Sequence, residues 1–449
     1  MKTTLMKTTH LAIVVLLFCS FSYAQDKEIT ILITNAKIFN GVSEKLIEGS
    51  DILIENNLII KIAPNIKKPK GASVIDAEGH VLTPGLIDSH THIMWNDDIE
   101  YLVYGSAHEY TGVMAAVAAE QMLMRGFTAI RDMGGPSIGL QKAIDDGVAK
   151  GPRIFSSGYF ISQTSGHGDF NKQLNYQSPY FTNHVDPLYT RGWTLIADGV
   201  PEIKKAVREN LRQGVTQIKI MGSGSITGAH DPIDVTEYTL EEMKAIVKEA
   251  EKWGTYATVH AYSDESIQNA INAGVKSVEH GLFASAETFE MMKKNNVIFS
   301  TQFLSYSLKP EDIGMTGETA KKYLIAQDAA EGGYKRSKEL KLKMALGTDL
   351  LGDIKLKELQ MQELVARTKY YTNAEILMQA TSINGELLAL SGERSPYKEG
   401  ALGIIKEGAY ADLLILKENP LENIEILTKT ENLLVIMKDG KIYKNNLDE

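Results

Sequence analysis

Eight strand-like runs alternate with amphipathic stretches through the middle of this chain, and that alternation limits the fold more than anything else in it. The runs lie at 81–87, 127–130, 153–156, 217–221, 255–259, 277–279, 297–300 and 343–346. Between them, 200–213, 240–253, 263–273 and 286–295 carry apolar residues at helical spacing. Strands that alternate with helices pair in parallel, because each parallel crossover needs a dozen or more residues. Eight such units predict an α/β protein of the (β/α)8 TIM-barrel type. An open doubly wound sheet is the alternative. It is disfavoured as a dinucleotide binder, because no Gly-x-Gly-x-x-Gly turn follows an early strand.

Both ends of the chain read differently. Residues 29–33, 51–54 and 58–62 are strand-like, with Asn56-Asn57 as a turn. Residues 411–416, 433–437 and 441–443 match them near the C-terminus, with Asp439-Gly440 as a hairpin signal. The economical arrangement is one small β-sandwich built from both termini, 25–84 and 396–449, with the barrel at 85–395 inserted between. The first 24 residues read as a secretory signal peptide. Lys2 and Lys7 precede an apolar stretch at 11–21, and Ser22-Tyr23-Ala24 offers a small-residue cleavage site. That stretch is short for a membrane span, which leaves an uncleaved anchor as the alternative. Secretion to the periplasm is expected, without stable membrane insertion after cleavage. The single cysteine, Cys19, falls inside this segment, and Phe18 before it disfavours a lipoprotein site. The mature chain would then have no thiol, so any metal ligands must be nitrogen or oxygen. A net charge of −10 argues against a nucleic-acid partner.

The segment 164–198 breaks the strand–helix rhythm. It is long and carries Phe170, Tyr176, Tyr180, Phe181, Tyr189 and Trp193. Long loops inside compact domains are commonly functional, so this one is expected to line a substrate pocket or to pack as a surface flap.

The chemistry-bearing residues fall near strand ends. His90 and His92 follow the run at 81–87. Side chains two apart on a strand share a face, and two imidazoles on one face make half of a transition-metal site. Lys219 sits inside the apolar run 217–221, where an ammonium is costly unless it is paired or modified. A buried lysine loses its proton readily and reacts as a free amine; carbon dioxide would turn it into an anionic carbamate. His260, His280 and Asp349 close three further runs. Each alone reads more readily as a satisfied core residue. Together they place metal-binding chemistry at the C-terminal mouth, where barrel enzymes keep their active sites.

On Pro84-Gly85-Leu86-Ile87-Asp88-Ser89-His90-Thr91-His92, Ile218-Lys219-Ile220-Met221, His260, His280 and Gly347-Thr348-Asp349, the chain resembles the amidohydrolase superfamily. The terminal β segments are similar too. Within that superfamily it looks like the binuclear dipeptidase branch, beside the Xaa-Pro dipeptidases and imidazolonepropionase-like enzymes. The resemblance implies that His90, His92 and Asp349 hold the more buried of two divalent ions. It further implies a carboxylated Lys219 bridging both, with His260 and His280 on the second. The donor types favour Zn2+, with manganese and cobalt left open. The implied reaction is hydrolysis of an amide in a dipeptide, Xaa-Pro or similar, or in an N-acyl amino acid. A hydroxide shared by the two cations attacks, and Asp349 moves the proton to the leaving amine. Tyr262 and His167 are implied to meet the substrate, although many relatives carry a histidine where Tyr262 stands. Arg131 and Asp132 read as a structural ion pair, and Asp88 as a support for the ligands. His80, His108, His184 and His230 have no partner pattern. Two other readings stay open: a cyclic-amide hydrolase or deaminase of the same superfamily, and a non-catalytic metal-bearing binding protein. The expected partner is a small-molecule substrate; homo-oligomerisation is left open.

Overall fold

Parallel strands buried on both faces read as continuous apolar runs rather than alternating ones, and this is how the middle of the chain folds. The computed structural model describes residues 29–170, 185–228 and 231–447. The signal peptide, Cys19, Tyr176, Tyr180, Phe181, His184 and His230 lie outside the described residues. Eight parallel strands form the barrel: β1 (Leu86–Thr91), β2 (Phe127–Asp132), β3 (Arg153–Ser156), β4 (Ile218–Met221), β5 (Ala257–Ala261), β6 (Ser277–His280), β7 (Ile298–Ser300) and β8 (Met344–Ala345). Every residue in them is buried.

Two sheets make up this wall. One pairs β1, β2 and β3; the other runs from β4 through β8 in sequence order. The third strand joins them. Its first half, Arg153–Ser156, pairs with β2, and after a break the segment Phe160–Ser162 pairs with β4 through Ile161 and Ile220. On the far side, Ser89 N donates to Leu346 O at 2.9 Å and Asp349 N to His90 O at 2.8 Å, tying the chain beyond β8 to β1. The outer helices follow the predicted pattern. Gly199–Gln213 buries Ile203, Ala206, Val207 and Leu211 and ends at Gly214, whose φ of 95° suits a glycine. Leu240–Lys252 opens with a Thr239–Glu242 capping box.

The long aromatic segment is more ordered than expected where it is described. It contains a helical turn, Pro187–Thr190, capped by Asp186, and a strand, Thr194–Ile196, that pairs in parallel with Phe160–Ser162. Three-residue strands are too short to show a period in sequence.

The terminal segments form two facing sheets. Leu58–Ala63, Asp51–Glu55, Thr30–Thr34 and Ser73–Asp76 make one; Lys441–Asn445, Leu433–Lys438, Leu413–Leu416, Val81–Pro84 and Lys37–Ile38 make the other. The second sheet mixes both ends of the chain. Ile31, Ile33, Ile52, Ile54, Leu82, Ile415 and Val435 fill the space between the sheets. Asp439 and Gly440 both have positive φ, as the two-residue hairpin requires. Arg153 at the base of β3 rivets the sandwich to the barrel. It bonds Asp412 at 3.1 Å and Asp439 at 2.6 Å and lies over the Tyr410 ring.

Candidate metal centre

His90 lies one residue before the end of β1, and His92 directly follows it. Both reach Asp349: His90 Nε2 lies 3.5 Å from Asp349 Oδ1, and His92 Nε2 lies 3.2 Å from it. One donor atom from each of the three residues falls within 4.8 Å of the others. Asp349 stands four residues past β8, in the left-handed region at φ 52°. Gly347 lets that loop approach β1, since a Cβ there would come within 2.6 Å of His90 Cβ. Asp88 braces the same junction. It accepts bonds from Thr348 Oγ1 at 2.6 Å, Gln360 Nε2 at 2.9 Å and His90 N at 3.1 Å. It therefore supports the centre without facing it.

His260, fourth in β5, and His280, last in β6, bring their rings within 4.5 Å; the His280 ring is 5.2 Å from that of His90. Lys219 is the second residue of β4, deeper in the barrel than a strand end, and its side chain rises into the same cavity. Among the described residues, no group hydrogen-bonds its ammonium. Burial lowers its pKa to about 8; the nearby Glu279 and Asp349 charges only partly resist that fall.

The imidazoles share one arrangement. His90 Nδ1 donates to Glu279 Oε2 at 2.9 Å, His92 Nδ1 to Gly134 O at 3.3 Å, and His280 Nδ1 to Gln302 Oε1 at 2.8 Å. The Gly224 backbone bonds the His260 ring. Carbonyl and carboxylate oxygens only accept, so Nδ1 of His90, His92 and His280 carries a proton, which leaves Nε2 as the atom able to face a metal. His260 Nε2 is buried without a hydrogen-bond partner. So is Asp349 Oδ1, which is near His92 but off hydrogen-bond alignment. Burial holds His90 at a pKa of about 3 and His280 at about 4, and pushes His260 well down, so all three are neutral at pH 7. Burial would raise Asp349, but the His90 and His92 rings outweigh it and keep the carboxylate ionised. Lone pairs and an anion converging in a buried space repel one another unless a cation lies between them. The donor set therefore fits divalent metal.

Tyr262 and His167 border this cluster. The Tyr262 ring stacks on His280 at 5.1 Å, and its hydroxyl lies 2.8 Å from that of Tyr306. His167 stacks on His260 at 4.4 Å. Its Nδ1 lies 2.6 Å from Ser225 Oγ, and its backbone N–H donates to Glu237 Oε1 at 2.7 Å. All eight residues singled out in the sequence (His90, His92, His167, Lys219, His260, Tyr262, His280 and Asp349) line one cavity of about 790 Å3. Phe170 lines it too, whereas Trp193 is packed into the core. His80 bonds Lys417 O in the sandwich, and His108 begins an outer helix.

Arg131 does not pair with Asp132. Neighbours on a strand face opposite ways, and Arg131 instead meets Glu279 at 2.7 Å, while Asp132 accepts from Ile93 N and Ser137 Oγ. Sequence reasoning missed Glu279, Gln302, Tyr306 and Ser225. Glu279 was hidden by strand alternation, which sets it opposite His280. His280 has φ 68°, and this local turn lets both side chains reach His90.

Known proteins share this architecture. The sequence profile of the amidohydrolase family matches residues 81–443. An ochratoxinase from Aspergillus niger is 32% identical over 372 residues, covering 81% of this chain and 76% of the relative. A crystal structure of an amidohydrolase is 33% identical, with a TM-score of 0.85, covering 93% of this chain and 100% of the other. A prolidase crystallised with N-methylphosphonate-L-proline gives the same TM-score at 29% identity, covering 93% and 100%. This chain belongs to the amidohydrolase family and is a hydrolase of C–N bonds.

Proposed function

We propose that this enzyme hydrolyses the amide bond of an N-acyl amino acid or dipeptide at a centre of two divalent cations, Zn2+ foremost. His90, His92 and Asp349 would hold one ion and His260 and His280 the other. A carboxylated Lys219 would lie between them. The observation that carries this reading is that His90 and His92 turn Nε2 toward the ionised Asp349 while the His260 and His280 rings and Lys219 line the same cavity. Lys219 fits its part because it is buried, lacks a hydrogen bond among the described residues and is shifted by burial toward its neutral amine form. Its nitrogen would attack carbon dioxide, forming an N–C bond and releasing one proton, which leaves an anionic oxygen donor. Bound there, divalent ions supply acidification of water and polarisation of a carbonyl.

The chain's own groups do the rest. Asp349 accepts the attacking water's proton on its carboxylate and returns it to the leaving nitrogen. The Tyr262–Tyr306 hydroxyl pair keeps one O–H free to donate to the developing oxyanion. His167, pinned through Nδ1 by Ser225, offers its other nitrogen to the substrate. Ile226, Leu308, Ile313, Met315, Leu350 and Leu351 supply apolar walls. A cavity of about 790 Å3 lies in the upper part of the range that holds drug-sized ligands. It favours an N-acyl amino acid with a bulky apolar acyl group over a bare dipeptide. The amide chemistry is carried over from the ochratoxinase and prolidase relatives. Residues 1–24 would direct export to the periplasm, and the chain would divide at 84 and 395 into sandwich, barrel and sandwich.

The test is a screen of Xaa-Pro, Xaa-Arg, Xaa-Phe and N-acyl amino-acid substrates with zinc-reconstituted protein, alongside metal analysis. Two bound ions and metal-dependent release of a free amino acid are expected. Full activity in Lys219→Ala would point instead to a single-ion cyclic-amide hydrolase or deaminase. A metal-loaded protein that hydrolyses nothing would point to a binding role.

A further inference from the structure

Beneath the centre lies a charge pair that the proposed chemistry does not use. Arg131 on β2 and Glu279 on β6 are both fully buried, with Nη2 and Oε1 2.7 Å apart. The same Oε1 takes the Thr258 hydroxyl at 2.6 Å, and Ser277 Oγ lies 2.9 Å away. Among the described residues Oε2 has one partner, the His90 Nδ1–H at 2.9 Å. Arg131 is itself pinned, Nε to Ser89 O at 2.5 Å and Nη1 to Ser277 Oγ at 2.9 Å. One carboxylate oxygen is thus saturated and the other is reserved for an imidazole. Stability alone gives no reason to keep such a pair, since apolar replacements of equal volume are often neutral or better. His92, His260 and His280 rest on uncharged acceptors; of the four imidazoles, His90 alone rests on a carboxylate.

We infer that Glu279, held by Arg131, is a positioning residue for His90. It fixes the tautomer that turns the Nε2 lone pair toward Asp349, and its negative charge makes that nitrogen a stronger donor. The inference rests on the two-cation reading. Zn2+ binding to the metal-stripped full chain, measured by competition with a chromophoric chelator, tests it. Glu279→Gln keeps an acceptor oxygen without the charge. Arg131→Met with Glu279→Gln removes both charges, so neither half of the pair is left as an uncompensated ion. Both variants should lose about 10–100-fold in Zn2+ affinity at one position, with kcat falling more than KM changes. The metal-free double variant should unfold within about 5 °C of the wild-type temperature. Unchanged affinity in either folded variant overturns the inference. So does a double variant that cannot fold, because the pair then serves the fold. Wild-type protein that binds no Zn2+ would instead refute the metal centre itself, which keeps the two failures distinct.

Discussion

Replacing Lys219 with Met should make the metal-free protein more stable while removing its capacity for a second ion. The side chain is 1% exposed and has no hydrogen-bond partner among the described residues. Burial lowers its pKa from 10.5 to about 8, with Arg131 adding to the fall and Glu279 and Asp349 opposing it. At about 1.4 kcal/mol per pH unit, that fall corresponds to about 3 kcal/mol against folding. The sign follows from proton counting. Below pH 8 both folded and unfolded chains hold the proton, so the full penalty applies. Between about pH 8 and 10.5 the unfolded chain binds more protons than the folded one, so stability rises with pH and the penalty fades. Met has a similar length and no charge, so it fills the same space. In carbon-dioxide-free buffer, urea unfolding of the stripped Lys219→Met protein at pH 7 should show a gain of about 3 kcal/mol over wild type. At pH 10.5 the gain should nearly vanish. A variant less stable than wild type at pH 7, or a gain that ignores pH, would show that Lys219 is not a destabilising buried amine. The proposed carbamate would then lose its physical basis.

Tyr262→Phe should lower kcat about 100-fold with KM nearly unchanged, as expected for an oxyanion donor; steady-state kinetics showing equal loss in Tyr306→Phe would assign the free O–H differently. Stripping both ions with a chelator should abolish activity and lower the thermal midpoint. Zn2+ returned at a hundredfold excess over its Kd should recover about 2.7 kcal/mol per site, and calorimetry showing no shift would exclude tight binding. Arg153→Met should cost about 3–5 kcal/mol in urea unfolding, because Asp412 is left buried and unpaired. Adding Asp412→Asn should recover part of that loss, and a single variant as stable as wild type would mean the rivet is dispensable. Ile313→Ser should raise KM for a long-chain N-acyl amino acid about tenfold while leaving a short dipeptide unaffected, since about 1–3 kcal/mol is the worth of one apolar contact in such a pocket.

How far the sequence could be read depended on whether a residue's role was local. Strand ends and amphipathic helices are local patterns, so the barrel order and the helix at 240–252 were legible. His90, His92, His260, His280 and Asp349 were legible because each lies at or just past the C-terminal end of a strand, and those ends converge at one mouth. Lys219 was legible for the opposite reason, as a charge inside an apolar run. Glu279, Gln302 and Tyr306 were not, because their roles exist only across strands. Gln302 follows β7 yet orients a ring from β6, and Tyr306 meets Tyr262 from β5. The helix Gly317–Leu340 was also faint, because its buried face is Ala, Gly, Ser and Tyr rather than Leu or Ile.

The same contrast explains where the chain departs from regular geometry. Two of the six proposed ligands, His280 and Asp349, adopt left-handed backbone at φ 68° and 52°, and neither is glycine. Such conformations cost of order 1–3 kcal/mol each and persist only where the surroundings over-determine them. Regular extension at 280 would keep Glu279 and His280 on opposite faces, so that only one of them could reach His90. The turned backbone brings both toward His90, Glu279 as its proposed support and His280 as a proposed ligand beside it. At 349 the turn follows a glycine that no side chain could replace without striking His90, and the Asp349 N–H is spent on the His90 carbonyl. Fold stability explains neither departure. Both side chains line the one cavity, so the strain falls where the proposed chemistry needs it.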